Sequence, residues 1–360
     1  MNFQEQEYSW TEIEGVEGLY FLEGFENSSN IYYFREDGML VDTGNDYTAF
    51  FEFSKVAEIS KISSVFLTHS HNDHTLGLFD LLRGYQEFDG ITVFVHASMK
   101  DALEKRLKVF GKDVRVLGFR GGEELEIDGE RYRVLDTPGH TFDHLSLYSH
   151  DSGILFSGDA VITSPVYDVN LGGSLKNFVL TLRHLRNLDV RCILPGHGYY
   201  ACGGVTNLIL EKSYFNAIRE MSPDGNLKDC AKAALKLGLV EEAEYALKAY
   251  LELEDAGDRE AVFGIASIRA DKGDVDSVEK VLWDYIRNGD ETALYIAGMA
   301  SMRAGKFERA ADLFKKLSDI AAKPEYRVLY GSALYESGRV AEALEIEEFR
   351  RVYERVKQNR

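Results

Sequence analysis

Thr68-His69-Ser70-His71-Asn72-Asp73-His74 packs three imidazoles and one carboxylate into the six residues from His69 to His74. A β-type run over residues 64–68 leads into it. Alternating residues of an extended loop point the same way, so His69 and His71 can grip one ion together. Asp73 and His74 follow, where the chain must turn into a helix, and face a second ion. Imidazole suits zinc, iron and related metals, and carboxylate oxygen tolerates several. Four other stretches set a histidine or an aspartate beside small, turn-forming residues: Val41-Asp42-Thr43-Gly44, Thr137-Pro138-Gly139-His140, Ser157-Gly158-Asp159 and Pro195-Gly196-His197-Gly198. Of the 9 histidines, five (69, 71, 74, 140 and 197) fall in these stretches. Pro138-Gly139, Gly158 and Gly196 each permit a sharp turn at a strand end, which gathers side chains at one edge of a sheet. Five imidazoles and two carboxylates are enough for two divalent metals.

Around these stretches, up to about residue 200, the chain reads as short β runs broken by turns and helices. Strands are expected over residues 19–23, 30–35, 39–42, 64–68, 91–96, 131–136, 145–149, 154–156 and 191–194, which are rich in Val, Ile, Tyr and Phe and bounded by Gly or Asp. Apolar residues three and four apart predict helices over 47–59, 98–110 and 175–188. Strands mixed with flanking helices imply sheets covered by helices, a layered α/β domain. From about Thr206 helix formers take over, beginning with a helix over 207–218. Glycines then recur at Gly238, Gly273, Gly305 and Gly338, and five residues after each stands Ala243, Val278, Ala310 or Ala343. A period near 34 residues with glycine in the helix-to-helix turn resembles the tetratricopeptide repeat. The expected boundary lies near Ser222-Pro223-Asp224, dividing residues 1–222 from 223–360. The charged stretch 345–360 would cap the last repeat.

The segment His69-x-His71-x-Asp73-His74 resembles the signature of the metallo-β-lactamase superfamily, and the later stretches fall in the order of that family's motifs. The resemblance covers residues 1 to about 220. It implies an αββα sandwich and a dinuclear site in which His69, His71 and His140 bind the first metal. Asp73, His74 and His197 would bind the second, and Asp159 would bridge them. It also makes Asp42 the buried aspartate that orients a ligand histidine. Thr137-Pro138-Gly139-His140-Thr141-Phe142-Asp143-His144 looks like the corresponding stretch of glyoxalase II and of the family's lactonases, where a histidine at the place of His144 supports the site. Asp143 stands where those relatives usually have glycine, which puts the local loop shape in question.

The expected chemistry is hydrolysis of a thioester, lactone or other small carboxylic ester by a hydroxide that two metals activate. Zinc is the first expectation, with iron or manganese as alternatives. Asp73 is the candidate for relaying a proton. Tyr199 and Tyr200 could reach an oxyanion or form a buried aromatic pair, whereas His96, His150 and His184 are expected to be surface or core residues. Three readings compete: a phosphodiesterase or nuclease of the same superfamily, a mononuclear iron persulfide dioxygenase, and a repeat scaffold with a vestigial site. His144 and the complete second ligand set lean away from the dioxygenase, and a decayed site should have lost ligands. True glyoxalase II enzymes carry glutathione-binding groups on their own helical tail, which repeats replace here. Glutathione thioesters are therefore not expected, and the repeats imply self-association or a protein partner.

The charge agrees with a small-molecule substrate. Of the net −19, residues 1–205 account for −14, with 17 Lys and Arg against 31 Asp and Glu. An acidic domain repels phosphate backbones, so no nucleic-acid partner is expected. No apolar run is long enough to span a membrane, and the polar start through Trp10 lacks the features of a secretory signal. Cys192, Cys202 and Cys230 suggest neither an even count nor paired spacing, so a reduced, cytoplasmic protein is expected.

Overall fold

Side-chain alternation in the strands decides what meets between the sheets. In the computed structural model, which describes residues 9–45, 48–162 and 165–358, Tyr32, Phe34, Met39, Val41 and Phe66 turn inward to a core that includes Tyr132, Val134, Leu145, Leu147, Phe156 and Leu194. Their neighbours Tyr33, Leu40, Val65 and Leu67 point the other way and pack under a helix with Leu78, Leu81 and Leu82. The period of two in each strand thus serves both faces of one sheet.

That sheet is formed in chain order by β1 (Thr11–Glu12), β2 (Leu19–Leu22), β3 (Ile31–Phe34), β4 (Met39–Val41), β5 (Ser64–Phe66), β6 (Ile91–His96) and β7 (Val114–Phe119). It is antiparallel from β1 to β4 and parallel from β4 to β7. The second sheet contains β8 (Glu124–Ile127), β9 (Glu130–Asp136), β10 (Leu145–Ser149), β11 (Ile154–Gly158), β12 (Cys192–Pro195) and β13 (Ala201–Cys202), in the order β13-β12-β11-β10-β9-β8. Only β11 and β12 are parallel in it. Helices α1 (Asn72–Gly84) and α2 (Lys100–Leu107) make the crossovers of the first sheet, and α3 (Leu175–Leu185) and α4 (Thr206–Arg219) follow on the second. Ile209 of α4 lines a cleft with Ile193 of β12 and Ala201 of β13. The layered α/β architecture expected from the sequence is the observed one.

All nine expected strands exist, within a few residues of their expected ends. The four not anticipated, β1, β7, β8 and β13, are the edges of the two sheets. Edge strands here are either two residues long or carry charge, as Glu124 and Glu126 do in β8, so they lack the apolar run that marks an interior strand. The helix expected over residues 47–59 is absent. Tyr47 lies outside the described residues, and the rest forms two short 3₁₀ turns, Phe53–Lys55 and Ile59–Lys61. Phe50 and Phe53 are buried and pack against Trp10, whose ring meets that of Phe53 edge-on at 5.2 Å, while Phe51 is left exposed. An i, i+3 aromatic pair suits a single 3₁₀ turn as well as an α-helix, and the contact with Trp10 settles which forms.

The cysteine expectation also needs correction. Cys192 and Cys202 stand directly opposite each other on β12 and β13 and form a disulfide, with Cys230 buried and outside it. The hairpin of β12 and β13 brings together two cysteines that look unrelated in sequence, and the argument for a reducing compartment falls with it. Among the described residues no helix is long and apolar enough to cross a membrane.

Two compact units divide the chain, Met1–Glu220 and Met221–Arg360. Within the second, α5 (Leu227–Lys236), α6 (Val240–Leu253), α7 (Arg259–Asp271), α8 (Val275–Val281), α9 (Trp283–Arg287), α10 (Glu291–Arg303), α11 (Phe307–Ile320), α12 (Pro324–Glu336), α13 (Val340–Glu345) and α14 (Glu347–Gln358) are all helical. Gly238, Gly273, Gly305 and Gly338 close α5, α7, α10 and α12 in the left-handed conformation, with φ of 76°, 71°, 70° and 89°. Ala243, Val278, Ala310 and Ala343, the positions five residues on, are each fully buried. On α14 only Phe349 is buried, as a polar end helix requires; Asn359 and Arg360 lie outside the described residues.

Candidate metal centre

Every stretch singled out in the sequence follows the end of a strand: Asp42 after β4, His69 three residues beyond Phe66 of β5, His140 after β9, Asp159 after β11 and His197 after β12. His71 stands at the N-cap of α1 and Asp73 in its first turn, where the helix dipole favours a carboxylate. The structure brings all seven proposed donors together. One ligand atom from each of His69, His71 and His140 falls within a 4.8 Å cluster, as it does for Asp73, His74 and His197, and again for His69, His74 and Asp159.

The hydrogen bonds on the outer side of each ring decide what its inner nitrogen offers. Thr68 Oγ1 donates to Asp42 Oδ2 at 2.8 Å, so it can only accept from His69 Nδ1, 3.1 Å away. His140 Nδ1 donates to the carbonyl of Val166 at 2.7 Å, and His71 Nε2 faces Asp168 Oδ2 at 3.4 Å. With protons on those outer atoms, His69 Nε2, His71 Nδ1 and His140 Nε2 all turn lone pairs inward. They lie 3.0 Å (His69 to His71) and 2.8 Å (His140 to His71) apart.

In the second group His74 Nδ1 donates to Asp42 Oδ2 at 2.7 Å, leaving Nε2 bare. That atom is buried without a hydrogen-bond partner, as is Asp159 Oδ1, 3.4 Å from it. Asp159 Oδ2 is 3.4 Å from His140 Nε2 and 3.6 Å from His197 Nε2, which places this carboxylate between the two groups. Asp73 Oδ2 reaches His197 Nε2 at 3.2 Å and His74 Nε2 at 3.7 Å. Buried lone pairs facing one another with no proton between them are costly unless a cation lies among them. The donor set therefore fits divalent metal, and imidazole with carboxylate suits zinc, iron or manganese.

The electrostatics divide the imidazoles. Burial, joined by the neighbouring imidazoles, pushes His69 well below the usual histidine range, and burial lowers His140 as well. Burial raises the pKa of Asp159, but His74, His197 and His140 outweigh it and hold the carboxyl well below its ordinary value. The hydrogen bond that His197 Nε2 donates to Asp73 raises His197. His69 and His140 are thus held neutral, as ligation needs. Burial of His74 is outweighed by Asp42 and Asp159, which raise it well above the usual range. His74 and His197 must therefore give up a proton for a cation to bind.

Asp42 and His144 stand behind the donors. Asp42 is buried, accepts from the Thr68 backbone N–H at 2.8 Å in addition to the bonds above, and adopts the left-handed conformation at φ 57°. A non-glycine residue there costs about 1–3 kcal/mol and persists only where its surroundings demand it. His144 Nε2 accepts the backbone N–H of Asp159 at 3.0 Å while Nδ1 faces Thr137 Oγ1 at 2.8 Å. Burial pushes His144 down to about 3, so it stays a neutral acceptor. Two glycines are required by this packing. A Cβ on Gly196 would lie 2.2 Å from Asp159 Oδ1, and one on Gly158, at φ 47°, would lie 2.6 Å from His144 Nε2.

Sequence reasoning missed Val166 and Asp168. Both sit on a loop between β11 and α3, with no motif to mark them. Asp168 Oδ1 accepts from Asn170 N at 2.8 Å, which leaves Oδ2 for His71, and its own N–H donates to the His140 carbonyl. Asp143 is fully buried with both carboxylate oxygens unpartnered, beside a cavity of about 40 Å³ that it shares with His69, His96 and Arg106. Tyr199 and Tyr200 do not form a buried pair. Tyr200 meets Phe21 edge-on at 5.4 Å, and Tyr199 is exposed beside a larger cavity that also touches His197. His150 packs on Tyr148, and His96 Nδ1 faces Ser98 Oγ.

Residues 24–197 match the family model of the metallo-beta-lactamase superfamily, so that stretch is a domain of this superfamily. The chain is similar to an atrochrysone carboxyl ACP thioesterase of Paecilomyces divaricatus, 28% identical over 184 residues that make up 49% of this chain and 52% of that protein. It is also similar to a beta-lactamase-like protein 2 homolog of Caenorhabditis elegans, 27% identical over 164 residues, 44% of this chain and 52% of that protein. The chain spans about half the length of these curated relatives. Among solved structures, a metallo-beta-lactamase family protein of Thermus thermophilus is 23% identical with a TM-score of 0.45, covering 66% of this chain and 94% of that one.

Proposed function

We propose that this metallo-β-lactamase superfamily domain is a metal-dependent hydrolase acting on a thioester, lactone or other small carboxylic ester. One observation carries the reading: seven donors from strand ends and the start of α1 converge, and two of them, His74 Nε2 and Asp159 Oδ1, are buried 3.4 Å apart with no hydrogen-bond partner. His69, His71 and His140 would hold one cation, Asp73, His74 and His197 a second, and Asp159 both. Zinc is the metal proposed. When bound, such a pair supplies Lewis acidity and makes water nucleophilic near neutral pH. The relative named as an ACP thioesterase supports an acyl thioester among the possible substrates.

The chain's own residues then have distinct tasks. Asp42 and Asp168 hold His74 and His71 in the tautomers that face inward. His144 fixes Asp159 through its backbone N–H. Asp73, whose Oδ2 lies beside His197, is the residue proposed to take and return the proton of the attacking water, through the carboxylate oxygen that does not hold the cation. The catalytic role is assigned to residues 1–222, and a role in self-association or in binding a protein partner, through tetratricopeptide-like repeats, to 223–360.

The test is a panel of thioesters, lactones, phosphodiesters and β-lactams offered to the full chain after its Zn, Fe and Mn are assayed. Two equivalents of metal with turnover of an acyl substrate are expected. Metal-free protein that takes up no zinc would refute the assignment, and a single iron with no esterase activity would favour a dioxygenase.

A further inference from the structure

A cavity of about 550 Å³ opens beside His197, large enough for a substrate of drug-like size. Its walls are largely apolar, with Val161 and Ile162 just beyond Asp159, Ile193 on β12, and Ile209 on α4. Lys212, on the same face of α4 as Ile209, supplies the one positive charge among the residues that line it. Lys212 is exposed and forms no ion pair among the described residues, and its neighbour Glu211 is engaged by Arg186 at 3.1 Å. Its ammonium is thus available to a ligand, in a unit whose first 205 residues carry 31 acids against 17 bases.

We infer that Lys212 reads a negative charge on the substrate, remote from the bond that is cut and separated from it by an apolar segment. The inference rests on the hydrolase reading given above. The geometry behind it is independent of metal: a proposed ligand histidine, hydrocarbon side chains and one lysine line the same cavity. A neutral acyl chain fills the middle and leaves the ammonium facing solvent. A chain ending in carboxylate, or a thiol carrying phosphate, gives it a partner. Both sources share the same chemistry, and an acidic protein gains specificity by keeping a single cation in such a position.

The experiment uses the full chain with metal bound and two matched substrate pairs. One pair is the adipyl and hexanoyl thioesters of N-acetylcysteamine; the other is the hexanoyl thioesters of phosphopantetheine and of pantetheine. In Lys212→Met the anionic-over-neutral ratio of kcat/KM should fall about fivefold for one pair, the loss lying in KM, as for a single partly exposed ion pair. Lys212→Arg should restore it, and Lys212→Glu should turn the preference toward an aminohexanoyl thioester. The pair that responds identifies which end of the substrate carries the charge. Ratios within about twofold of wild type for both pairs in Lys212→Met and Lys212→Glu would overturn the inference while leaving the hydrolase reading intact. Should wild type cleave none of the four, the thioester arm of the hydrolase reading fails, and the lactones and esters of the panel decide the rest. Calorimetry of the uncleavable adipyl and hexanoyl amides then still decides the subsite, by whether Lys212→Glu removes the preference for the adipyl compound.

Discussion

The two halves of the donor cluster are held by different kinds of structure. His74 leans on Asp42, a carboxylate buried in the core that also ties down the backbone and hydroxyl of Thr68. His71 and His140 lean instead on Asp168 and Val166, which ride on a partly exposed loop. His74, and His69 through Thr68, inherit the rigidity of the sheets, while His71 and His140 depend on a strap outside them. Asp159 belongs to the first kind, fixed from behind by His144, although it serves both halves.

Replacing Asp159 with Ala should break the distinction altogether. Hydrolysis should be lost and bound metal should fall from two equivalents to one or none, with the far-UV circular dichroism of the full chain retained. Two equivalents in that variant would show that the carboxylate between the halves holds neither ion. Next in size is Asp42→Ala, which leaves the Thr68 N–H, the Thr68 hydroxyl and His74 Nδ1 without their acceptor. A loss of about 3 kcal/mol in urea denaturation of the metal-free chain is expected, together with the loss of one metal equivalent. Unchanged stability would place the support of His74 elsewhere.

Asp168→Asn should leave stability near wild type yet weaken the tighter binding of one equivalent about 10- to 100-fold, the usual effect of losing a carboxylate behind a ligand histidine. Competition with a chromophoric chelator measures it; equal weakening of both equivalents would mean that the strap acts on the whole site. The smallest effect is expected from Thr137→Val. It removes the partner of His144 Nδ1 and should cost about 1 kcal/mol, with two equivalents still bound. A lost equivalent in that variant would extend the chain of support from Thr137 through His144 to Asp159.

What could be read in advance follows the same division. The donors stood out because each lies next to glycine or proline at a strand end or within a dense run of imidazoles, a local pattern with a local cause. Interior strands were legible for a related reason, since two buried faces demand continuous apolar runs. The four missed strands are all sheet edges, where one side of the backbone faces away from the sheet and the side chains need not be apolar. The helix anticipated over residues 47–59 failed because its aromatics answer to Trp10, some forty positions earlier. Cys192 and Cys202 met only because β12 and β13 form a hairpin. In the second unit the glycine period located the helix turns, since a left-handed residue is a local need, but not what the helical surface binds.

By itself, then, the order of residues determined the donor inventory, the interior strands and the recurring helical turns, because each rests on backbone preference or burial over a few neighbours. Tertiary structure alone decided which outer atom faces each imidazole, and hence which nitrogen keeps its lone pair. It also selected Asp168 and Val166 from an unmarked loop, and it set Lys212 and His197 on the lining of one cavity. The contacts at the donors depend on groups brought within about 3 Å of one another from distant parts of the chain, a distance that no local pattern encodes.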